Sequence, residues 1–390
     1  MSSSYAKMTN AAVECLEKMA EADAELSSTY RQLSDLFSRK LWHQLTVVVL
    51  DLLASSSCRN SLELYERVVL ACDAKLNQLS LARIASYVAS SNVVQAPHIL
   101  KTLLDKHQAR LGPAASLYLE SKLVLIALTN TNEQPDNESI HATLQKGAKV
   151  LAEMESTDLL VYSAYYEAAT AYRKLVGQPE AFYKEALLYL HYTPIMEVLS
   201  EQERYTLATD LSLAALTGDG IFNFGEITST NAPLLSSLVG TPNAWLMDIL
   251  RCFSQGDVLG FSRLMSQQVE PHHPVLTARA NVVQEKITLL SLVQMIFERP
   301  SSDRTLTFED ICSRTQVNKE QVELLLMRAL SLGLIKGTMD QVDETITVSW
   351  IMPRVLEPLQ LKELAGRFGE WAVKVSQARD YLVEQTPTFA

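Results

Sequence analysis

From Gln32 to about Leu216, apolar residues return every three or four positions, and no run at the strand period of two interrupts them. A chain with that spacing can bury its apolar side chains only as helices, each laying one stripe against a neighbour. Leu33, Leu36, Phe37, Leu41, Leu45, Val48, Val49 and Leu52 form the first stripe, read as one helix that the Ser/Cys/Asn cluster Ser55–Ser61 ends. Further amphipathic helices are expected at about Leu62–Leu76, Ser80–Ala89, Pro97–Leu111, Pro113–Leu128, Ser139–Met154, Thr157–Val176 and Pro179–Leu190. Pro97, Pro113 and Pro179 stand where a first helical turn tolerates a missing N–H, and Gly112 stands where a left-handed cap is wanted. Ser200 with Glu203 is a capping box for a helix over Glu201–Leu216. Helices of this length joined by short turns imply an α-solenoid of antiparallel pairs, although no strict repeat consensus is present.

The pattern breaks at Thr217–Glu226, where three glycines and two phenylalanines fall within ten residues. The run lacks the Gly-Lys-Ser/Thr ending of a P-loop and the G-x-G-x-x-G of a dinucleotide turn, so it reads as an irregular turn whose aromatics plug a core. Helices near Asn243–Phe253, Val258–Met265 and Asn281–Glu298 follow. Then the order changes again. Thr305–Thr307 is a short strand, and Thr307 with Asp310 caps a helix to about Arg314. Asn318 with Gln321 caps a second helix, Lys319–Leu332, which Gly333 stops. Leu334–Gly337 and Thr345–Ile351 are strands around a turn at Gln341–Glu344. Helix, strand, helix, turn, helix and hairpin is the order of a winged helix-turn-helix. Last, Leu361, Leu364, Phe368, Trp371, Val375, Ala378 and Leu382 alternate spacings of three and four through Glu357–Glu384. That is a heptad pattern, in which one helix offers a narrow apolar seam to other helices.

The fold class is therefore mainly α: a helical solenoid, a winged-helix module and a C-terminal helix. No constellation for catalysis accompanies it. The seven histidines include no H-E-x-x-H, H-x-H or zinc spacing, and the five cysteines include no C-x-x-C pair. The pair His272–His273 reads as an interhelical loop, and His43 beside Trp42 as a helix surface residue. No G-x-S-x-G elbow, S-x-x-K or kinase set appears. The expectation is no enzyme, no cofactor and no metal. The N-terminus lacks a basic stretch before an apolar core, and the most apolar segments fall short of the roughly 20 residues a membrane span needs. A soluble, intracellular protein with no membrane contact is expected.

A winged helix invites the question of nucleic acid. The formal net charge is −11, which disfavours a phosphate backbone as the main partner. Between Thr305 and Met352 the only basic residues are Arg314, Lys319, Arg328 and Lys336, against the acids Glu309, Asp310, Glu320, Glu323, Asp340, Asp343 and Glu344. On the second helix, Val322, Leu325, Leu326, Ala329 and Leu330 share the core side, while Glu320, Glu323, Leu324, Met327 and Ser331 face away. An acidic and apolar face repels phosphate and suits a protein. Cover by the chain's own C-terminal helix is the competing reading for Leu324 and Met327.

The runs Lys40–Thr46, Gly218–Glu226 and Leu306–Leu356 resemble one family closely: non-ATPase regulatory subunit 13, among the PCI-domain subunits of the 26S proteasome lid. The likeness extends from about Tyr30 to the C-terminal helix. It implies a non-catalytic scaffold in cytoplasm and nucleus, serving ATP-dependent degradation of ubiquitinated proteins. It further implies a helical-repeat arm, a PCI domain whose winged helix stacks on those of sister lid subunits, and a terminal helix entering a helical bundle. The partners implied are other PCI subunits, the deubiquitinase metalloprotease pair and the ubiquitin-receptor subunit, in a hetero-oligomer. A PCI scaffold of the COP9 signalosome or of an initiation-factor complex is the alternative, and a winged-helix nucleic-acid binder a weaker one.

The domain boundaries expected are 1–30 as an N-terminal segment that can be flexible, 31–177 as the arm, 178–353 as the PCI domain and 354–390 as the terminal helix and tail. Within the PCI domain, 178–300 is the helical part and 301–353 the winged helix. The candidate interface residues are the seven seam positions together with Glu320, Leu324 and Met327.

Overall fold

The computed structural model describes residues 2–23, 26–55, 60–92, 95–107, 110–129, 136–154, 158–194, 198–230, 232–267, 274–299, 304–355 and 358–385. The chain divides into two compact units, Met1–Pro194 and Ile195–Ala390.

The first unit is helical among the described residues. Its helices are α1 (Ser2–Ala22), α2 (Ser27–Ser38), α3 (Trp42–Ala54), α4 (Ser61–Leu64), α5 (Gln78–Ser91), α6 (Ala96–His107), α7 (Pro113–Thr129), α8 (Asn137–Glu153), α9 (Leu159–Val176) and α10 (Pro179–Tyr192). Neighbours in sequence are neighbours in space: α1 packs on α2, α2 on α3, α3 on α5, α5 on α6 and α7, α7 on α9, and α9 on α10. One apolar core runs through these layers from Ala12 to Tyr172. The N-terminal segment joins it, since Ala12, Cys15, Leu16 and Met19 of α1 are buried.

The single helix expected over Leu33–Leu52 is two. Lys40 turns left-handed at φ 59°, and the Leu41 and Lys40 amides donate back to the carbonyls of Leu36 and Phe37. This is the Schellman ending, ordinarily built on glycine. With lysine in that place, the apolar period runs across the break and conceals it. Phe37 and Trp42 meet edge to face at 5.6 Å on the two sides of the corner. The helix expected over Leu62–Leu76 is likewise broken, into α4, a π-helical turn at Tyr65–Val69 and a 3₁₀ turn at Asp73–Lys75. Gly112 is no left-handed cap; its amide donates to the Gln78 side chain at 2.7 Å. The left-handed glycines that close helices are Gly177, Gly256 and Gly333.

The second unit holds α11 (Glu201–Thr217), α12 (Ala232–Leu235), α13 (Trp245–Gln255), α14 (Val258–Gln267), α15 (Pro274–Ala278) and α16 (Ala280–Glu298). A winged helix continues from α16: β1 (Thr305–Thr307), α17 (Phe308–Thr315), α18 (Lys319–Ser331), β2 (Ile335–Asp340) and β3 (Thr345–Ile351). The sheet order is β1-β3-β2, antiparallel throughout. The Thr307 hydroxyl caps α17 by accepting from the Asp310 amide at 3.2 Å, as the spacing required. Asn318 precedes α18 but its side chain makes no capping bond; its carbonyl receives the Gln321 amide instead. The second strand runs on to Asp340, whose carboxylate accepts the amides of Val342 and Asp343 and so shapes the wing turn. A final helix, α19 (Pro358–Gln385), ends the described chain.

Candidate protein interface

The Gly218–Glu226 run is the joint on which the second unit is assembled. Ile221, Phe222 and Phe224 are buried, and Phe224 packs against Phe253 of α13 at 5.1 Å. Beneath them Lys286 of α16 is only 2% exposed. Its ammonium donates to the carbonyls of Ala215 and Gly218 and lies 5.8 and 5.4 Å from the Phe222 and Phe224 ring centres. Seven residues earlier, Arg279 donates to the Thr217 carbonyl at 2.9 Å. Two cations from one side thus satisfy the carbonyls at the end of α11, where the helix dipole is negative. Aromatic plugs were legible in the sequence; their cationic cap, lying about seventy residues on, was not.

The same run holds the exit from the winged helix. A Cβ on Gly225 would stand 2.7 Å from the Val355 Cβ, so only glycine admits this approach. Arg354 reaches back to the Gln294 side chain and the Ser254 carbonyl, each at 2.5 Å.

Beyond that clamp the described side chains of the terminal helix lie in solvent. Each α19 side chain described is exposed, including the seven seam positions Leu361, Leu364, Phe368, Trp371, Val375, Ala378 and Leu382. Phe368 and Trp371 are 61% and 64% exposed. A continuous exposed apolar stripe of this kind is a candidate interaction surface.

The outward face of α18 also exposes apolar side chains. Val322, Leu325, Leu326 and Ala329 are buried and Leu330 half-buried, as the helical wheel required. Glu320 is exposed, Leu324 is 65% and Met327 47% exposed, so α19 does not cover them. Leu324 and Met327 line an open groove of about 1060 Å³ that α14 and α16 complete with Leu259, Glu285 and Thr288. Leu259 is itself exposed; it escaped sequence reading because a lone leucine on a short helix carries no periodic signal. Arg328, the cation on this face, is held by Glu285 at 2.8 Å. Lys319 is held by Glu344 at 2.5 Å, which raises its pKa. The basic groups nearest a would-be DNA groove thus each stand beside a carboxylate, which lowers the positive potential a phosphate would meet.

Among the described residues no group of three His, Cys, Asp or Glu could hold a metal ion, and no helix is long and apolar enough to cross a membrane. His43 is exposed, and His272–His273 lie outside the described residues. Cys72 is buried, which pushes its thiol up to about 12, the opposite of an activated nucleophile.

Stacked helices leading into a winged helix, with an uncovered terminal helix, define the PCI class of assembly subunits, and the PCI domain family matches residues 267–350. The family described as PSD13 N-terminal repeats matches residues 29–250. The chain is 36% identical to 26S proteasome non-ATPase regulatory subunit 13 homolog A of Arabidopsis thaliana, over 97% of this chain and 98% of that protein. Homolog B of the same plant is 35% identical over the same shares. The subunit 13 of Dictyostelium discoideum is 30% identical over 96% of this chain and 97% of that protein. The chain belongs to the family of 26S proteasome non-ATPase regulatory subunit 13.

Proposed function

We propose that the protein is a non-catalytic scaffold subunit of the 26S proteasome lid, supporting ATP-dependent degradation of ubiquitinated proteins from cytoplasm and nucleus. The observation that carries this reading is the uncovered α19 seam on a chain similar to lid subunits along nearly its whole length. A folded protein keeps so long an apolar stripe in water only if another chain removes it from water in the working state. The seven seam positions enter the lid's helical bundle. Glu320, Leu324 and Met327 face a sister PCI subunit, and the deubiquitinase pair and ubiquitin receptor are among the neighbours.

Removal of Leu361–Leu382 tests the reading. The truncated chain should be soluble, with unchanged unfolding of the remainder, yet tagged and purified from cells it should recover no other proteasome subunits. Co-purification of the lid with the truncated chain, or recovery of the full chain in a signalosome or initiation-factor complex, would overturn it.

A further inference from the structure

We propose that the α19 seam is built for a helix whose flanking positions are acidic, and that the same feature keeps α19 from pairing with a second copy of itself. The inference rests on the seam reading above and adds the chemistry of the partner.

With Leu361, Phe368, Val375 and Leu382 at a and Leu364, Trp371 and Ala378 at d, the heptad fixes every other position of α19. The flanks of a heptad seam are e and g, which set partner and orientation by charge. From Ala365 to Tyr381 they hold Ala365, Arg367, Ala372, Lys374, Arg379 and Tyr381: three cations and no anion. The acids Glu363, Glu370 and Glu384 fall at c and Asp380 at f, with one further cation, Lys362, at b, all off the flanks of the seam. Every charge that flanks the seam from Ala365 to Tyr381 is therefore positive. An α-helix placed only for solubility would mix the signs there.

These cations are available. All three are exposed, and among the described residues no carboxylate pairs with Arg367 or Lys374. Arg379 meets Asp380 at 2.7 Å, a pair in which both side chains are mostly exposed and which therefore exchanges readily. A partner helix that presents Glu or Asp beside its apolar seam gains ion pairs with all three. A second copy of α19 does not. In a parallel pair, g of one helix faces e of the next heptad in the other, so Lys374 would face the Arg379 of the second copy. In an antiparallel pair the g positions face one another, and Arg367 and Lys374 again meet cations. Like charges beside a seam are the usual device against the wrong partner.

Two labelled 28-residue helical peptides with the same Ile/Leu seam, one bearing Glu at every e and g position and the other Lys, provide the test. Each is titrated with the full chain at low salt, followed by fluorescence anisotropy. One exposed charge pair changes affinity about twofold, so three should favour the Glu-flanked peptide roughly tenfold. The double substitution Arg367→Glu, Lys374→Glu should reverse the preference. In sedimentation the unaltered chain should be monomeric, and Lys374→Glu alone should self-associate, because it sets a carboxylate opposite Arg379. Equal affinity for the two peptides, preference for the Lys-flanked one, or dimerisation of the unaltered chain would overturn the charge proposal alone. Failure of both peptides to bind would remove the seam reading and this inference together.

Discussion

α16 and α19 obey the same helical period and meet opposite fates. Along α16 ten side chains are buried, from Val283 to Ile296, and even its lysine is folded into the core. Along α19 each described side chain is in solvent, tryptophan and phenylalanine included. The difference teaches that a hydrophobic period declares that a face needs covering and does not declare who covers it. What separates the two is width. α16 has apolar residues on most of its circumference, as befits a helix packed among several others; α19 has the narrow two-in-seven seam of a helix that meets its partners along one line.

An aspartate placed on each helix should therefore read out differently, and this pair carries the largest expected effect. Ile287→Asp in α16 places an unpaired carboxylate in a fully buried site, which costs on the order of 5 kcal/mol and should unfold the second unit. Trp371→Asp in α19 should shift unfolding by less than about 0.5 kcal/mol, while removing several kcal/mol of assembly affinity. Chemical denaturation and lid co-purification, run on both variants, decide it. A large loss of stability in the tryptophan variant would mean that the seam packs within its own chain.

The next effect isolates the lysine that makes α16 unusual. Lys286→Met keeps length and apolar stem but orphans the carbonyls of Ala215 and Gly218. A buried acceptor left without its charged donor costs roughly 1–3 kcal/mol. The variant should therefore lose about 2–4 kcal/mol in urea unfolding, whereas Lys374→Met on α19 should be nearly silent. A silent Lys286→Met would show that water replaces the ammonium without cost.

Most of this architecture was legible. The helical period gave the arm, and the capping signals at Ser200 and Thr307 placed helix starts correctly. The heptad named a stripe that the structure leaves exposed. What failed did so for a physical reason. Lys40 occupies a left-handed position that sequence reading reserves for glycine, so the break between α2 and α3 stayed hidden. The Gly112 cap failed in the other direction, since Gly112 is not left-handed and its amide donates a hydrogen bond to the Gln78 side chain. Lys286, Arg354 and Leu259 act through residues distant in sequence or alone on their helices. Local pattern does not encode such contacts.

The smallest effect concerns how helices in the two settings begin. α11 opens with a complete capping box: the Glu203 amide donates to the Ser200 hydroxyl oxygen at 3.3 Å, and the Glu203 carboxylate accepts the Ser200 amide at 2.9 Å. The Ser200 hydroxyl also donates to that carboxylate at 2.7 Å. These bonds, the hydroxyl's first, hold the Glu203 pKa below its ordinary value. The first turn of α19 holds no acid among the described residues. Ser200→Ala should cost about 1 kcal/mol at pH 7. Because the carboxylate's folded pKa lies below its unfolded one, its contribution is complete above the unfolded value of about 4.3 and fades as pH falls through the folded value. The difference in unfolding free energy between the protein and Ser200→Ala should therefore be constant from neutral pH down to about pH 5 and shrink below pH 4. A difference that stayed constant into strong acid would mean that the hydroxyl caps the helix alone and the glutamate takes no part.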